Sequence, residues 1–384
     1  MQTHRLQWTE ANGWSLPLST LPPGAQLILY FGSPAILARP NGPLRDLIRQ
    51  AGPAIIAGCS TAGEIFGPAI FDESLSVIAL QFHSTTLRAV SALVPNNAAS
   101  ESVGSELGRQ LRVPSLRHVL LLSDGLQVNG TALVRALRQA LPDGVSITGG
   151  LAGDGPHFRH TLVGLGPNVL PGQVVAIGFH GEALEVGYGI AGGWTPFGPH
   201  RLITRSEGNI LYALDDQPAL ALYKRYLGDR AAGLPGTGLL FPLQLLTERT
   251  DTTGLVRTIL AVDEATQSVT FAGDLPQGQY ARLMKATSDA LIGSTEAAGT
   301  HATCLPARSA NDSLALVVSC VGRRLLLGQR CEEEIDLAVR SLPPGTAIAG
   351  FYSYGEIAPS GEMVRCDLHN QTLVMTVLSE RTCS

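Results

Sequence analysis

The chain repeats one order of apolar and polar positions three times, at residues 27–65, 119–154 and 314–357. Each copy has an apolar run, a stretch of helical periodicity, and a second apolar run that ends in glycines and a carboxylate. This pattern predicts a strand, a helix and a second, parallel strand, joined by a right-handed crossover. We therefore expect an α/β fold of two related lobes, built from repeated strand–helix–strand units with mixed, mostly parallel sheets and helices packed on them.

The first and third copies are the most alike, because both contain Ala-Gly-x4-Gly-Glu-Ile, at 57–65 and 349–357. We expect them at equivalent places in the two lobes. A junction near 200–215 then divides the chain into domains at 25–210 and 211–380. Between the second and third copies, the pattern predicts a helix at 219–227, paired strands at 255–262 and 268–271, and a helix at 280–291.

Composition supports this fold class and excludes several partners. Only 15% of the 384 residues are charged, while 43 glycines and 24 prolines imply many turns between apolar segments. The net charge of −5 and the scattered Lys and Arg argue against a nucleic-acid partner. No apolar stretch is long enough to span a membrane and residues 1–14 lack a signal peptide's apolar region, so we expect no membrane partner and a cytoplasmic location.

Cysteine spacing gives no support for a metal or a cofactor. The six cysteines form no CxxC pair, which predicts neither a disulfide framework nor a structural zinc site, and no CxxCH motif exists for covalent haem. The cysteines are Cys59, Cys304, Cys320, Cys331, Cys366 and Cys383.

The loops that follow the second strand of each copy are the main candidate site. Open α/β sheets bind ligands at the carboxyl ends of parallel strands, where glycine N–H groups can hold a carboxylate or phosphate. The acidic residues could receive an ammonium group, or each could cap a following helix; the glycines could instead form turns that only pack. The candidate residues are Gly58, Cys59, Ser60, Thr61, Gly63, Glu64, Gly149, Gly150, Asp154, Gly350, Gly355 and Glu356.

Aromatic and polar residues elsewhere add further candidates. Tyr352 and Tyr354 fall in the third loop and favour ligand stacking, whereas core packing is the stronger interpretation for Trp194 beside Pro196 and Phe197. Arg205 could grip an anionic ligand group or bridge the lobes through Glu207. Asn209 belongs with these two residues to a polar cluster at the junction. Asn370 and Thr372 are hydrogen-bonding candidates on the last loop and strand, although an asparagine in such a place often satisfies turn backbone.

Catalytic and haem-binding alternatives rest on single residues. Cys59 follows a strand and could be a nucleophile or redox sensor, but a small buried or pocket-lining cysteine is the simpler interpretation. Ser60 lacks the second glycine of a hydrolase elbow. Of the nine histidines, His157, His160 and His200 are the candidate haem ligands, and none has a metal-binding spacing.

Several motifs resemble the FIST (F-box and intracellular signal transduction) family. Gly58-Cys-Ser-Thr-Ala-Gly-Glu-Ile65 resembles the signature of its amino-terminal half. Gly192 to Gly198 and Arg205 to Tyr212 resemble the junction between the halves and the start of its carboxyl-terminal half, and Gly350 to Pro359 and Leu368 to Thr372 resemble its end. The resemblance spans residues 25–380, in family order, and makes 25–210 a FIST N-type and 211–380 a FIST C-type domain.

The resemblance implies a sensory input module for small ligands, such as amino acids or their derivatives. No kinase, cyclase or methyl-acceptor segment is present, so we expect output through a separate signalling protein, such as a histidine kinase or a cyclase/phosphodiesterase. Because a subset of the family binds haem and responds to nitric oxide, a haem-based sensor is the first alternative. The second is an enzyme that uses Cys59 or the pair Glu64 and Glu356; we expect binding rather than catalysis.

Overall fold

Three sheets with the same strand order make up the body of the protein. The computed structural model describes residues 1–303, 313–360 and 365–381. Cys304 and Cys383 lie outside the described residues. Each sheet belongs mainly to one of the three sequence copies, so the repeat seen in the sequence is also the repeat of the structure.

The first unit places a parallel strand pair against one main helix. Its first strand, Leu-Ile-Leu-Tyr-Phe-Gly, is buried at every position, as expected for a strand covered on both faces. The main helix starts at Pro43. Proline suits this position because N–H groups in the first turn have no acceptor within the helix, so its lack of an N–H costs no hydrogen bond. The elements are β1 (Gln2–Thr9), β2 (Gly13–Trp14), β3 (Leu27–Gly32), α1 (Pro34–Leu37), α2 (Pro43–Gln50), β4 (Ile55–Ser60), β5 (Glu64–Phe66), β6 (Ala69–Phe71) and β7 (Ser74–Gln81).

The second unit follows the same plan. Its crossover helix begins at Gly130 because the Asn129 side chain accepts a hydrogen bond from the Ala132 N–H. The elements are β8 (Thr86–Leu93), α3 (Ser100–Leu111), β9 (Leu116–Ser123), α4 (Gly130–Ala140), β10 (Ser146–Leu151), β11 (Val163–Leu165), β12 (Asn168–Leu170) and β13 (Gln173–His180).

The third unit begins with β14 (Leu184–Ala191) and is then interrupted by a separate antiparallel sheet. This inserted sheet has its own core, to which Ile203, Tyr223 and Phe271 belong. Its elements are β15 (Thr195–Pro196), β16 (Arg201–Glu207), β17 (Ile210–Leu214), β18 (Gln217–Pro218), α5 (Ala219–Leu227), β19 (Leu243–Leu246), β20 (Val256–Arg257), β21 (Ile259–Asp263), β22 (Ser268–Phe271) and β23 (Tyr280–Lys285).

The rest of the third unit repeats the plan of the second. Its elements are α6 (Ser288–Ala302), β24 (Ser313–Cys320), α7 (Val321–Leu327), α8 (Cys331–Arg340), β25 (Ala347–Ser353), β26 (Glu356–Pro359), β27 (Cys366–His369) and β28 (Leu373–Glu380). Short 3-10 helices occupy Leu18–Thr20, Asn97–Ala99, Gly228–Gly233, Gly236–Leu240 and Gly328–Arg330.

The helix predicted at 280–291 is wrong in its first half. Residues 280–285 form β23, in which Ala281 and Leu283 are buried at alternate positions and the strand pairs with β19. The helix begins only at Ser288, where the Thr287 side chain accepts from the Ala290 N–H. The apolar positions of the strand and of the helix that follows it were interpreted together as those of one amphipathic helix.

After its second strand, each unit sends a β-hairpin into the sheet of another unit. The hairpin β5–β6 extends from β25, β11–β12 extends from β4, and β26–β27 extends from β10. The exchange is therefore cyclic. The predicted α/β fold with mixed sheets is confirmed. Among the strands of the described residues, however, parallel pairing occurs in β3–β4, β9–β10 and β24–β25 and does not predominate, because hairpins and last strands pair antiparallel.

The three sheets turn one face toward a common core. Residues of all three contribute to it, and Phe31 of the first unit stacks on Phe351 of the third with ring centroids 4.8 Å apart. Helices of the units pack on the outer faces. Within the described ranges, no helix has the length and apolar character needed to cross a membrane.

Candidate functional site

The three predicted glycine loops meet where the sheets converge, and they hydrogen-bond to one another. Ala62 N–H donates to the Tyr352 carbonyl and Tyr352 N–H to the Gly63 carbonyl, each at 2.8 Å. Gly153 N–H donates to the Ser60 carbonyl at 2.9 Å. Gly63, one of the glycines proposed to hold a ligand, also donates its N–H within the protein, to Thr61 Oγ1 at 3.2 Å.

The second-strand glycines permit close contact between paired strands. A Cβ placed at Gly58, Gly149 or Gly350 would lie 1.8–2.0 Å from a carbonyl oxygen of the neighbouring first strand. Only glycine fits at that separation. Close packing of the paired strands therefore explains these glycines without a ligand. Gly150 likewise faces the common core, where a Cβ would lie 2.6 Å from Val318.

Glu64 is buried and held by two hydroxyl groups. It accepts from Thr61 Oγ1 at 2.5 Å, from Ser74 Oγ at 2.8 Å and from the Ser74 N–H at 3.1 Å. Burial raises the pKa of Glu64 to about 7, against the opposing effect of these hydrogen bonds. The carboxyl group fastens the start of β7 to the turn before β5.

Glu356 occupies the equivalent place in the third unit. It accepts from Ser353 Oγ at 2.6 Å, from Thr372 Oγ1 at 2.9 Å and from the Thr372 N–H at 3.2 Å. Burial raises its pKa to about 8. The idea that these acidic residues cap following helices is wrong, because Glu64 and Glu356 each begin a strand.

Asp154 orders a long loop rather than a helix. Its carboxylate accepts from the N–H groups of Phe158, Arg159 and His160, each at 2.8 Å, and from the Tyr354 hydroxyl. The loop thereby fixes Tyr354 in position.

Cys59 and Ser60 are both enclosed by protein. Cys59 is fully buried in the common core, and burial raises the pKa of its thiol. Ser60 Oγ donates to the Gly153 carbonyl at 2.8 Å and accepts from the Leu162 N–H. A buried thiol with a raised pKa is a poor nucleophile, so the geometry offers the catalytic alternative no support at Cys59.

Three other candidates lie within the third unit's packing. Trp194 Nε1 donates to the Gln371 carbonyl at 2.9 Å. Tyr352 is fully buried beneath the Arg324 guanidinium. Asn370 is buried and its Nδ2 donates to the His369 carbonyl.

The polar residues of the predicted junction do not act together. Arg205 and Glu207 are exposed, and Arg205 lies over the Tyr212 ring, 4.6 Å from its centroid. No ion pair joins these two described residues. Asn209 is half-buried and its Nδ2 donates to the Phe271 carbonyl at 2.8 Å.

A cleft of about 180 Å³ separates the second and third units from the inserted sheet. Tyr354 and Asn209, both predicted from the sequence, line it. The residues that the sequence analysis missed include Asn129, Phe158 and Asp274. One signal was available, since Ala-Gly-Asp at 272–274 repeats the glycine and carboxylate pattern of the candidate loops.

One end of the cleft is polar. Asn129, which caps α4, donates from Nδ2 to Asp274 Oδ1 at 3.1 Å, and the Asp274 N–H donates to Thr131 Oγ1 at 3.4 Å. The amino end of α4 carries a partial positive charge. A carboxylate and a positive helix end therefore adjoin the same cavity.

A buried arginine supports this end from behind. Arg257 Nη1 donates to the Leu368 carbonyl at 2.9 Å, and Nε donates to the Asp274 carbonyl at 3.3 Å. Burial lowers its pKa to about 10, which still leaves it charged near neutral pH. Arg257 thus ties the inserted sheet to the β26–β27 hairpin of the third unit.

The candidate haem ligands His157, His160 and His200 do not line the cleft. None of the described residues that line it is a histidine. His157 and His160 are exposed, and His200 is half-buried in the inserted segment. Among the described residues, no group of three or more His, Cys, Asp or Glu is placed to hold a metal ion.

Comparison with known families agrees with this architecture. A family profile for the FIST N domain matches residues 26–217, and one for the FIST C domain matches residues 219–359. A comparison with curated proteins finds no match. The two profiles together cover most of the chain in the order expected, and their domains are sensory modules of signal transduction. The chain belongs to the FIST family.

Proposed function

We propose that this protein is a small-molecule sensor whose ligand, an amino acid or a close derivative, binds in the cleft between the units and the inserted sheet. The observation that carries the proposal is the pairing of a carboxylate with a helix amino end at one cavity. Asp274 would accept hydrogen bonds from an α-ammonium group, and the amino end of α4 would attract an α-carboxylate.

The size of the cleft supports a small ligand. Pockets for drug-sized molecules measure roughly 300–1,000 Å³, whereas this one is about 180 Å³. A haem macrocycle needs more room and an axial ligand. An amino acid is the better match in both size and charge.

Of the residues predicted from the sequence, we propose Tyr354 and Asn209 as ligand contacts. The glycine loops would act indirectly, because Asp154 and its loop hold the Tyr354 hydroxyl. A bound ligand would contact both the units and the inserted sheet and so change their relative position. A separate signalling partner, such as a histidine kinase or a cyclase/phosphodiesterase, would respond to that change.

The test is titration of the full chain with the twenty L-amino acids, by calorimetry and thermal unfolding. At least one should bind, and at 100 times its dissociation constant it should stabilise the fold by about 2.7 kcal/mol. Asp274→Asn should weaken that binding by about tenfold or more, because the ammonium group loses a charged acceptor.

Asp229→Asn is the matched control, since Asp229 is an exposed carboxylate of the same inserted segment outside the cleft. It should bind as the unaltered protein does. Equal affinities of the Asp274 and Asp229 variants would count against the site, and no binding by any amino acid would count against the ligand class.

A further inference from the structure

The second unit carries a loop that its counterparts lack. From the second-strand glycine to the first hairpin residue there are six positions in the first unit, Gly58 to Glu64, and six in the third. In the second unit, Gly149 and Val163 are fourteen positions apart. The additional residues form the loop that Asp154 orders, and this loop reaches the cleft.

Phe158 is the residue that this loop presents to the cleft. Its ring stacks on Tyr354, with centroids 4.3 Å apart and planes 15° from parallel, and both rings line the cavity. The side chain is nevertheless 42% exposed. Its backbone has a φ of +53°, a strained conformation for a bulky residue, which the three N–H bonds to Asp154 maintain.

The facing wall has a position without a side chain. Gly273 lines the cleft with a φ of +142°, and a Cβ there would lie 2.8 Å from Arg257 Nε. Phe271 lies beside it. The stacked rings of Phe158 and Tyr354 therefore line the same cleft as the backbone of Gly273, which has no side chain to fill the space.

The volume accommodates one ring. A cavity of about 150 Å³ lined by apolar groups holds a benzene molecule, and this cleft has about 180 Å³ and an open mouth. Planar rings gain from aromatic neighbours beyond the area that they bury. A saturated ring of similar size buries comparable area without that gain.

We propose that the cleft selects ligands with a planar ring and that Phe158 is the specificity-determining residue. The inference rests on the proposed function for the location of the ligand, and it adds the ligand's chemical class. The amino-acid group would lie at the Asp274 end and the ring against Phe158 and Tyr354.

The experiment titrates the full chain with L-phenylalanine, L-tryptophan, L-cyclohexylalanine and L-leucine. The aromatic ligands should bind at least tenfold more tightly than the two saturated ones. Phe158→Leu, which keeps an apolar side chain but no ring, should reduce this preference to less than threefold. Phe158→Tyr should restore it.

Phe197→Leu is the matched control, since Phe197 is 41% exposed and lies outside the cleft; it should keep the preference. Circular dichroism and thermal unfolding establish that each variant is folded. If amino acids bind but the protein prefers no planar ring, or if Phe158→Leu keeps the preference, the inference is overturned while the proposed function stands.

If no amino acid binds, the proposed function fails and a second comparison decides the inference alone. Tryptamine and phenylacetate are then titrated against 2-cyclohexylethylamine and cyclohexylacetate. A planar preference that Phe158→Leu removes supports the inference. Absence of that preference, or of any binding, overturns it.

Discussion

Two buried carboxyl groups hold equivalent turns, and each accepts hydrogen bonds from two hydroxyl groups. Glu64 and Glu356 have pKa values of about 7 and about 8, raised chiefly by burial. Near neutral pH a large fraction of each is protonated. A protonated carboxyl group both donates and accepts hydrogen bonds, so it suits a pocket of serine and threonine side chains.

This protonation predicts a stability that falls with rising pH. An ordinary glutamate has a pKa of about 4.3, so the unfolded chain releases its proton well below the pKa of about 8 that folded Glu356 has. The contribution of protonated Glu356 to the free energy of unfolding is fully present below about pH 4 and is lost as pH rises through about 8. Within that window it changes the free energy of unfolding by about 1.4 kcal/mol per pH unit.

Glu356→Gln should reduce this slope by about 1.4 kcal/mol per pH unit between pH 5 and about 7, because the amide does not ionise. Urea unfolding at several pH values measures it. Glu332→Gln, at an exposed position of α8, should leave the slope unchanged. Parallel curves for the unaltered protein and Glu356→Gln would show that Glu356 is not protonated in the fold.

At the residue scale, the important carboxylates could be predicted from the sequence, but their hydrogen-bond partners and their burial could not. Glu64, Glu356 and Asp154 were singled out as carboxylates after strands. Two of their hydrogen-bond partners lie well apart in the chain, since Ser74 begins β7 and Thr372 immediately precedes β28. Burial depends on other units. The local spacing of residues predicts neither the hydrogen-bond partners nor the burial. A ligand role for the acidic residues therefore could not be distinguished from a structural role.

Helices were predicted correctly where one periodicity of apolar positions extends over the whole segment. The helix predicted at 219–227 coincides with α5, and the crossover helices α2, α4 and α8 were all expected. The failure at 280–291 came from a strand followed directly by a helix. The hairpins that leave each unit were not foreseen, because strands of three or four residues carry too little pattern to reveal a partner in another sheet.

The parallel strand pairs should be intolerant of any side chain at their glycines. Gly350→Ala brings a Cβ within 1.8 Å of the Val317 carbonyl oxygen, and we expect a loss of about 3 kcal/mol or more in the free energy of unfolding. Gly293→Ala is the control, because a Cβ there meets nothing within 4 Å and the residue lies within α6. It should stabilise the protein by about 0.5–1 kcal/mol. Equal effects in denaturant unfolding would contradict the packing explanation.

At the scale of the whole molecule, cyclic hairpin exchange makes each unit depend on another. The β5–β6 hairpin pairs with β25, and β10 pairs with β26, so both lie against strands beyond residue 300. A fragment that ends near residue 210 would expose those edges. The repeat could be found from the sequence, but the exchange could not, since it is a property of pairs far apart in the chain.

Arg257 should control how firmly the inserted sheet is docked. Arg257→Met leaves the Leu368 and Asp274 carbonyl groups without their buried donor, and we expect a loss of about 2–4 kcal/mol in stability. Hydrogen exchange should become faster at 271–275 and in β27 and remain slow in β3 and β4. Arg225→Met, at an exposed position of α5, should change neither. Uniform acceleration across the chain would contradict a local docking role.

The carboxylate of Glu380 also has a consequence for how the chain is connected. It accepts from the N–H groups of His83 and Thr85 and pairs with the Met1 amino group at 3.2 Å; burial opposes these bonds, yet they hold its pKa at about 2. The end of the third unit thus returns to the start of the first. A circularly permuted chain that begins at residue 84, with residues 381 and 1 joined by a short linker, should keep the strand pairs of the described residues. The new break falls between β7 and β8, and residues 1 and 380 lie side by side.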